Sequence, residues 1–116
     1  MRIVFINDSP YWNAQSEYCV SLARQLNKKG HRVLYLGRAK SKSLPYTEKY
    51  GIETVTIKCE TMSGFKDLRL VKQFFRDGVE IVNASGAWSQ NLAMLANWSR
   101  AKGASTVPLV RTRLFI

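Results

Sequence analysis

The fold turns on residues 1–37, "MRIVFINDSPYWNAQSEYCVSLARQLNKKGHRVLYLG". Arg2 to Ile6 is nearly continuous apolar and β-branched sequence, the pattern of a parallel strand buried on both faces. Ser16 to Lys29 follows with helical spacing. Tyr18, Leu22 and Leu26 share one face, with Cys19 and Ala23 beside them. Lys28 and Lys29 suit the C-terminal end of that helix, and Gly30 is a natural stop because glycine takes the left-handed conformation without strain. His31 to Leu36 reads as a second strand, with His31 as a strand-start residue.

The same alternation continues outward. After the basic loop "GRAKSKSLP", Pro45 opens a short helix that runs to about Tyr50 and stops at Gly51. Ile52 to Ile57 alternates apolar and polar residues, as a strand near a sheet edge does. Lys66 to Arg76 is helical, Val79 to Asn83 is a fourth strand, Trp88 to Lys102 is a helix ended by Gly103, and Val107 to Val110 is a fifth strand. Strands alternating with helices predict an α/β fold: a Rossmann-like, doubly wound parallel sheet with helices on both faces. Right-handed crossovers restrict the topology, and the simplest five-strand order is 3-2-1-4-5.

With 116 residues the chain suits one domain. Its hydrophobic fraction of 46% is that of a globular protein. Cys19 and Cys59 make no disulfide framework, and no Cys/His cluster has metal-ligand spacing, so free thiols and no metal are expected. No stretch approaches the roughly 20 apolar residues that span a bilayer. Lys and Arg number 18 against 8 Asp and Glu, a net charge of +10. That balance favours anionic partners: a lipid surface, nucleic acid or phosphorylated substrates. No RNA-type aromatic-basic motif or helix-turn-helix pattern accompanies it, so nucleic acid is not expected.

In a doubly wound sheet the ligand crevice lies outside the carboxyl ends of the strands at the switch point. Here that is between the first and fourth strands, where Asn7 to Ser16 meets "ASGAW", Ala84 to Trp88. A dinucleotide site needs G-x-G-x-x-G after the first strand and an acidic residue after the second. "NDSPYWNAQSEY" has no glycine, and "LGRAK" is basic, so that site is not expected. No P-loop occurs, and Asp8 stands alone where a phosphoacceptor domain would have an acidic cluster. Tyr11, Trp12, Asn13 and Gln15 can instead contact a ligand directly. Trp12 and Trp88 flank the crevice, where an aromatic ring can stack on a sugar face or bury against the sheet. Glu17 lies in the first turn of the first helix, where a carboxylate suits the helix dipole.

The sequence Met1 to Gly37 resembles the N-terminus of GT-B glycosyltransferases of family 4. That family opens with a strand, a glycine pair and a glutamate, then a helix ending in "KKGH" and a strand. Glu17 matches the glutamate, and Gly30-His31-Arg32-Val33 match the turn into the second strand. "GVEIVNASGAW" resembles the family's fourth strand and "VPLVRTR" its fifth. The departures are Ala14 and Gln15 in place of the glycine pair, and Asn83, Ser85 and Leu114 where histidines often follow strands four and five.

The resemblance implies that residues 1–116 form the acceptor-side domain of a two-domain enzyme, without its C-terminal donor domain and that domain's E-x7-E glutamates. It implies sugar transfer from a nucleotide-sugar, without metal or other cofactor, to a saccharide or lipid-linked acceptor in cell-envelope polysaccharide synthesis. The acceptor-binding candidates are then Tyr11, Trp12, Asn13, Gln15, Glu17, Asn83, Ser85, Trp88, Arg111 and Arg113, with no catalytic residue assigned. Lys66, Arg69, Lys72 and Arg76 share one helical face and form a candidate membrane surface. A cytoplasmic, peripheral inner-membrane location follows as an expectation, as does self-association through a sheet edge ending in "LFI". The competing class is a non-catalytic, Rossmann-like module that binds an anionic ligand.

Overall fold

The computed structural model describes residues 1–59, 64–98 and 107–112. Its elements run β1 (Arg2–Asn7), α1 (Ala14–Lys28), β2 (Arg32–Arg38), α2 (Leu44–Lys49), β3 (Glu53–Ile57), α3 (Gly64–Arg76), β4 (Ile81–Ser85), α4 (Ala87–Trp98) and β5 (Leu109–Thr112). All strand pairs are parallel, in the order β3-β2-β1-β4-β5. This is the Rossmann-like α/β fold read from the sequence. The alternating strand β3 lies at one edge of the sheet, as its pattern requires.

Alternate residues of β1 and β2 feed two cores, one on each face of the sheet. On one face Val4, Ile6, Leu36, Ile57, Val82 and Ala84 meet Val71 and Phe75 of α3 and Leu92, Ala93 and Ala96 of α4. On the other, Ile3, Phe5, Val33 and Tyr35 meet Cys19, Val20 and Ala23 of α1. Each large apolar side chain so buried contributes roughly 1.5–3 kcal/mol. Helix α1 approaches the sheet on the small residues Cys19 and Ala23. Tyr18, expected on the inner face, is instead 47% exposed.

Several boundaries differ from the sequence reading, and three have a clear local reason. Strand β4 starts at Ile81, not Val79, because the Val79 amide donates to Phe74 O and so still closes α3. Strand β5 starts at Leu109, not Val107. The Val107 amide donates to Asn97 Oδ1 and its carbonyl accepts from Asn97 Nδ2, so Val107 is held by α4. Strand β2 continues past Leu36 to Arg38, which is in register with Ile57. Arg113, Leu114 and the "LFI" end lie outside the described residues, as does the expected helix beyond Trp98.

Candidate functional site

The carboxyl ends of the strands open onto a cleft of about 430 Å³ lined by Asp8, Ser9, Pro10, Tyr11, Gln15, Arg38, Cys59, Ala87 and Trp88. This is the crevice that the topology predicts. A smaller cavity of about 280 Å³ lies at the amino-terminal ends of the strands, rimmed by Arg2, Arg32, Glu53 and Asp77. It sits at the end of the sheet opposite the usual ligand position.

The β1–α1 loop holds its shape through side chains instead of glycines. Asn7, fully buried at the end of β1, donates from Nδ2 to Ser16 Oγ (3.1 Å) and Tyr35 Oη (2.9 Å). Its Oδ1 accepts from the Ser9 amide (3.2 Å) and Gln15 Nε2 (3.1 Å). Ser16 Oγ donates to Tyr11 O (2.7 Å), and Tyr35 Oη donates to Ser43 Oγ (3.1 Å). Both donors and both acceptor positions of the Asn7 amide are therefore used.

Asn13 is the N-cap of α1: its Oδ1 accepts from the Ser16 amide at 2.9 Å, the bond that satisfies an otherwise orphaned helix donor. The sequence reading gave the favourable first-turn role to Glu17, which is exposed and lies one residue beyond the capped amide. Helix α4 is capped from a distance. Gly86 accepts from the Gln90 amide and begins the helix with a φ of 95°. Glycine offers no capping oxygen, and Asp8 supplies one from the end of β1, its Oδ2 accepting from the Ser89 amide at 3.0 Å. The lone acidic residue of the sequence reading is thus a helix cap.

The expected site residues divide accordingly. Tyr11 (65% exposed), Gln15 and Trp88 line the cleft. Asn13 and Gln15 spend polar groups on the loop itself. Trp12 turns away from the cleft and stacks on Tyr46, with ring centroids 4.0 Å apart. Asn83 and Ser85 are buried on the α1 side of β4, where Ser85 Oγ faces the Cys19 thiol without a hydrogen bond of ordinary geometry. Arg111 reaches Met94 of α4, its Nη2 standing 3.2 Å from Sδ, and is not part of the cleft lining.

Arg38 is the cleft residue that the sequence reading passed over. The sequence pattern ends β2 at Leu36 and so puts Arg38 in the basic loop. Its signal was present in "LGRAK", used only to exclude a ribose-binding acid.

Burial disfavours the thiolate at both cysteines. Burial pushes the Cys19 thiol up to about 12, against weak opposition from Ser85 and Tyr35. Burial also raises Cys59 to about 12, and the Asp67 and Asp8 carboxylates add to the rise while Arg38 opposes it. Among the described residues no cluster of His, Cys, Asp or Glu has the makings of a metal site. None of the described helices is long and apolar enough to cross a membrane.

No family model matches the chain, and no curated protein matches it in sequence. Among solved structures it is similar to MurG from Acinetobacter baumannii, with a TM-score of 0.68 and 16% identity over 96% of this chain. The chain spans about a third of that protein's length, 34%. The likeness shows the fold alone, the Rossmann-like α/β architecture described above.

Proposed function

We propose that the chain is the acceptor-side domain of a GT-B glycosyltransferase that moves a sugar from a nucleotide-sugar to a saccharide or lipid-linked acceptor. The observation that carries this is the state of the helix N-termini at the cleft. Such termini are ready-made phosphate sites. Here the third amide of α1 is held by Asn13 and that of α4 by Asp8. A diphosphate would have to compete with the protein's own oxygen at that amide of each helix, which favours a donor site on another domain. The cleft keeps the aromatic surfaces of Tyr11 and Trp88 for a sugar ring. The resemblance to family 4 supports the same reading and adds cell-envelope polysaccharide synthesis, a cytoplasmic site and metal-independent transfer. Transfer of this kind relies on stabilising the leaving diphosphate, which falls to the donor domain.

Calorimetric titration of the chain with a panel of nucleotide-sugars tests the assignment. The expected result is no sugar transfer and no binding tighter than about 1 mM. Micromolar binding of any donor would sink the acceptor-side reading. The competing anion-binding module predicts that joining this chain to an E-x7-E donor domain yields no transferase; recovered transfer would exclude it.

The proposal extends to membrane contact. Lys66, Arg69 and Arg76 are exposed on α3, and Lys72 is partly so. Helix α4 packs beside α3 and carries Leu95 (47% exposed) and Trp98 (86% exposed) on its outer side. A basic helix face and an exposed Trp on the neighbouring helix suit an anionic lipid–water boundary. Co-sedimentation with phosphatidylglycerol vesicles is expected to fall as salt rises, since exposed charges are screened within about 8–10 Å at physiological ionic strength. Equal binding to phosphatidylcholine vesicles would remove the idea.

A further inference from the structure

We infer that Arg38 is an anion-binding residue of the cleft, holding one phosphate or carboxylate of a ligand whose ring packs against Tyr11 and Trp88. The extension of β2 carries Arg38 to the carboxyl edge of the sheet, opposite Ile57. There it is partly buried and lines the cleft with Asp8, Tyr11, Cys59 and Trp88.

The carboxylates nearby are already engaged. Asp8 accepts from the Ser89 amide, and Asp67 accepts from the amides of Lys58 (3.2 Å) and Cys59 (2.9 Å). The Arg38 guanidinium has no hydrogen bond or ion pair with any described residue. A cation drawn partly out of water without a partner is poorly placed unless something else completes it. A planar fork of N–H donors matches the paired oxygens of a phosphate or carboxylate.

The adjoining loop adds positive charge beside the Asp8 carboxylate of the lining. Lys40 and Lys42 are exposed on the following loop. The Lys42 amide donates to the carbonyl of Pro10, which ties that loop to the cleft rim. Their field attracts anions toward Arg38. Combined with the aromatic lining, this selects an acidic sugar or a sugar phosphate over a neutral saccharide. The inference rests on the acceptor-side reading only in assigning the anionic group to the acceptor.

The test is an NMR titration of the 116-residue chain at constant ionic strength, with inorganic phosphate, methyl glucuronide and methyl glucoside as separate probes. Phosphate or glucuronide is expected to shift the Arg38 Nε–H resonance, and the stronger of the two identifies the source of the charge. Glucoside is expected to leave that resonance in place. Arg38→Gln should melt normally and weaken binding of the charged probe about tenfold or more. Arg38→Lys should recover only part of it.

Unchanged affinity in Arg38→Gln, or no response to any probe, would overturn the inference. A response of Tyr11 and Trp88 to glucoside alone would also overturn it, and would leave the acceptor-side reading standing. Micromolar nucleotide-sugar binding that is lost in Arg38→Gln would support Arg38 as the anion ligand while removing the acceptor-side reading.

Discussion

Asn7→Ala is expected to cost roughly 3 kcal/mol of folding free energy, a fall in melting temperature on the order of 12 °C for a chain of this size. The size of the effect comes from what is left behind. Asn7 is fully buried and its amide is bonded to Ser16, Tyr35, Gln15 and the Ser9 backbone. Alanine would leave the Ser16 and Tyr35 hydroxyl oxygens without the donor they accept from, in a place water reaches poorly. It would also release the backbone turn at Ser9, which starts the loop.

Gln15→Ala, at a half-exposed position, removes one bond of the same network and should cost under about 1 kcal/mol. Urea denaturation of both variants separates the cases. A loss below about 1 kcal/mol for Asn7→Ala would mean that the network holds nothing, and that loop shape comes from backbone and packing alone. The functional consequence also falls on the loop: Tyr11 lines the cleft only while the turn from Ser9 to Ser16 is fixed.

The strand order was legible because it depends on averages. Runs such as Arg2 to Ile6 and the alternating Ile52 to Ile57 state which strands are central and which lie near an edge, and crossover handedness does the rest. The site was less legible because it depends on where strands stop and on single side-chain bonds. Nothing within "HRVLYLGR" marks Leu36 as interior to β2. The extra residues belong to the strand because β3 offers Thr56 and Ile57 as partners to Gly37 and Arg38.

Asn13 and Gln15 read as ligand contacts because polar residues in a crevice loop invite it. The bonds they also make within the chain, to Ser16 and Asn7, are set by the backbone path of a loop with no sequence template. Trp12 was assigned to the cleft by proximity in sequence. Its ring is taken by Tyr46, on a helix whose position near the loop only the tertiary structure supplies.

Gly86→Ala is the second large expected effect, roughly 3 kcal/mol destabilising, and it should depend on Asp8. The cost has two parts. The φ of 95° is one that alanine rarely adopts, worth about 1–2 kcal/mol. A Cβ placed there would also lie 2.1 Å from Asp8 Oδ1 and 2.4 Å from Oδ2. Since Asp8 is held by the Ser89 amide, it can retreat only by giving up the cap, at about 1 kcal/mol. Asp8→Ala alone should therefore cost about 1 kcal/mol. In the Asp8→Ala background Gly86→Ala should cost only its backbone part. The cycle then closes with a coupling of about 1 kcal/mol or more, above the few tenths expected of independent sites. Strictly additive losses would show that alanine at position 86 leaves the Asp8 cap in place, and that the glycine is required for backbone conformation alone. A measured coupling would establish that the carboxylate closing the α4 N-terminus and the glycine beneath it are one device. It would also show that the α4 N-terminus at this wall of the cleft is closed by the protein's own carboxylate.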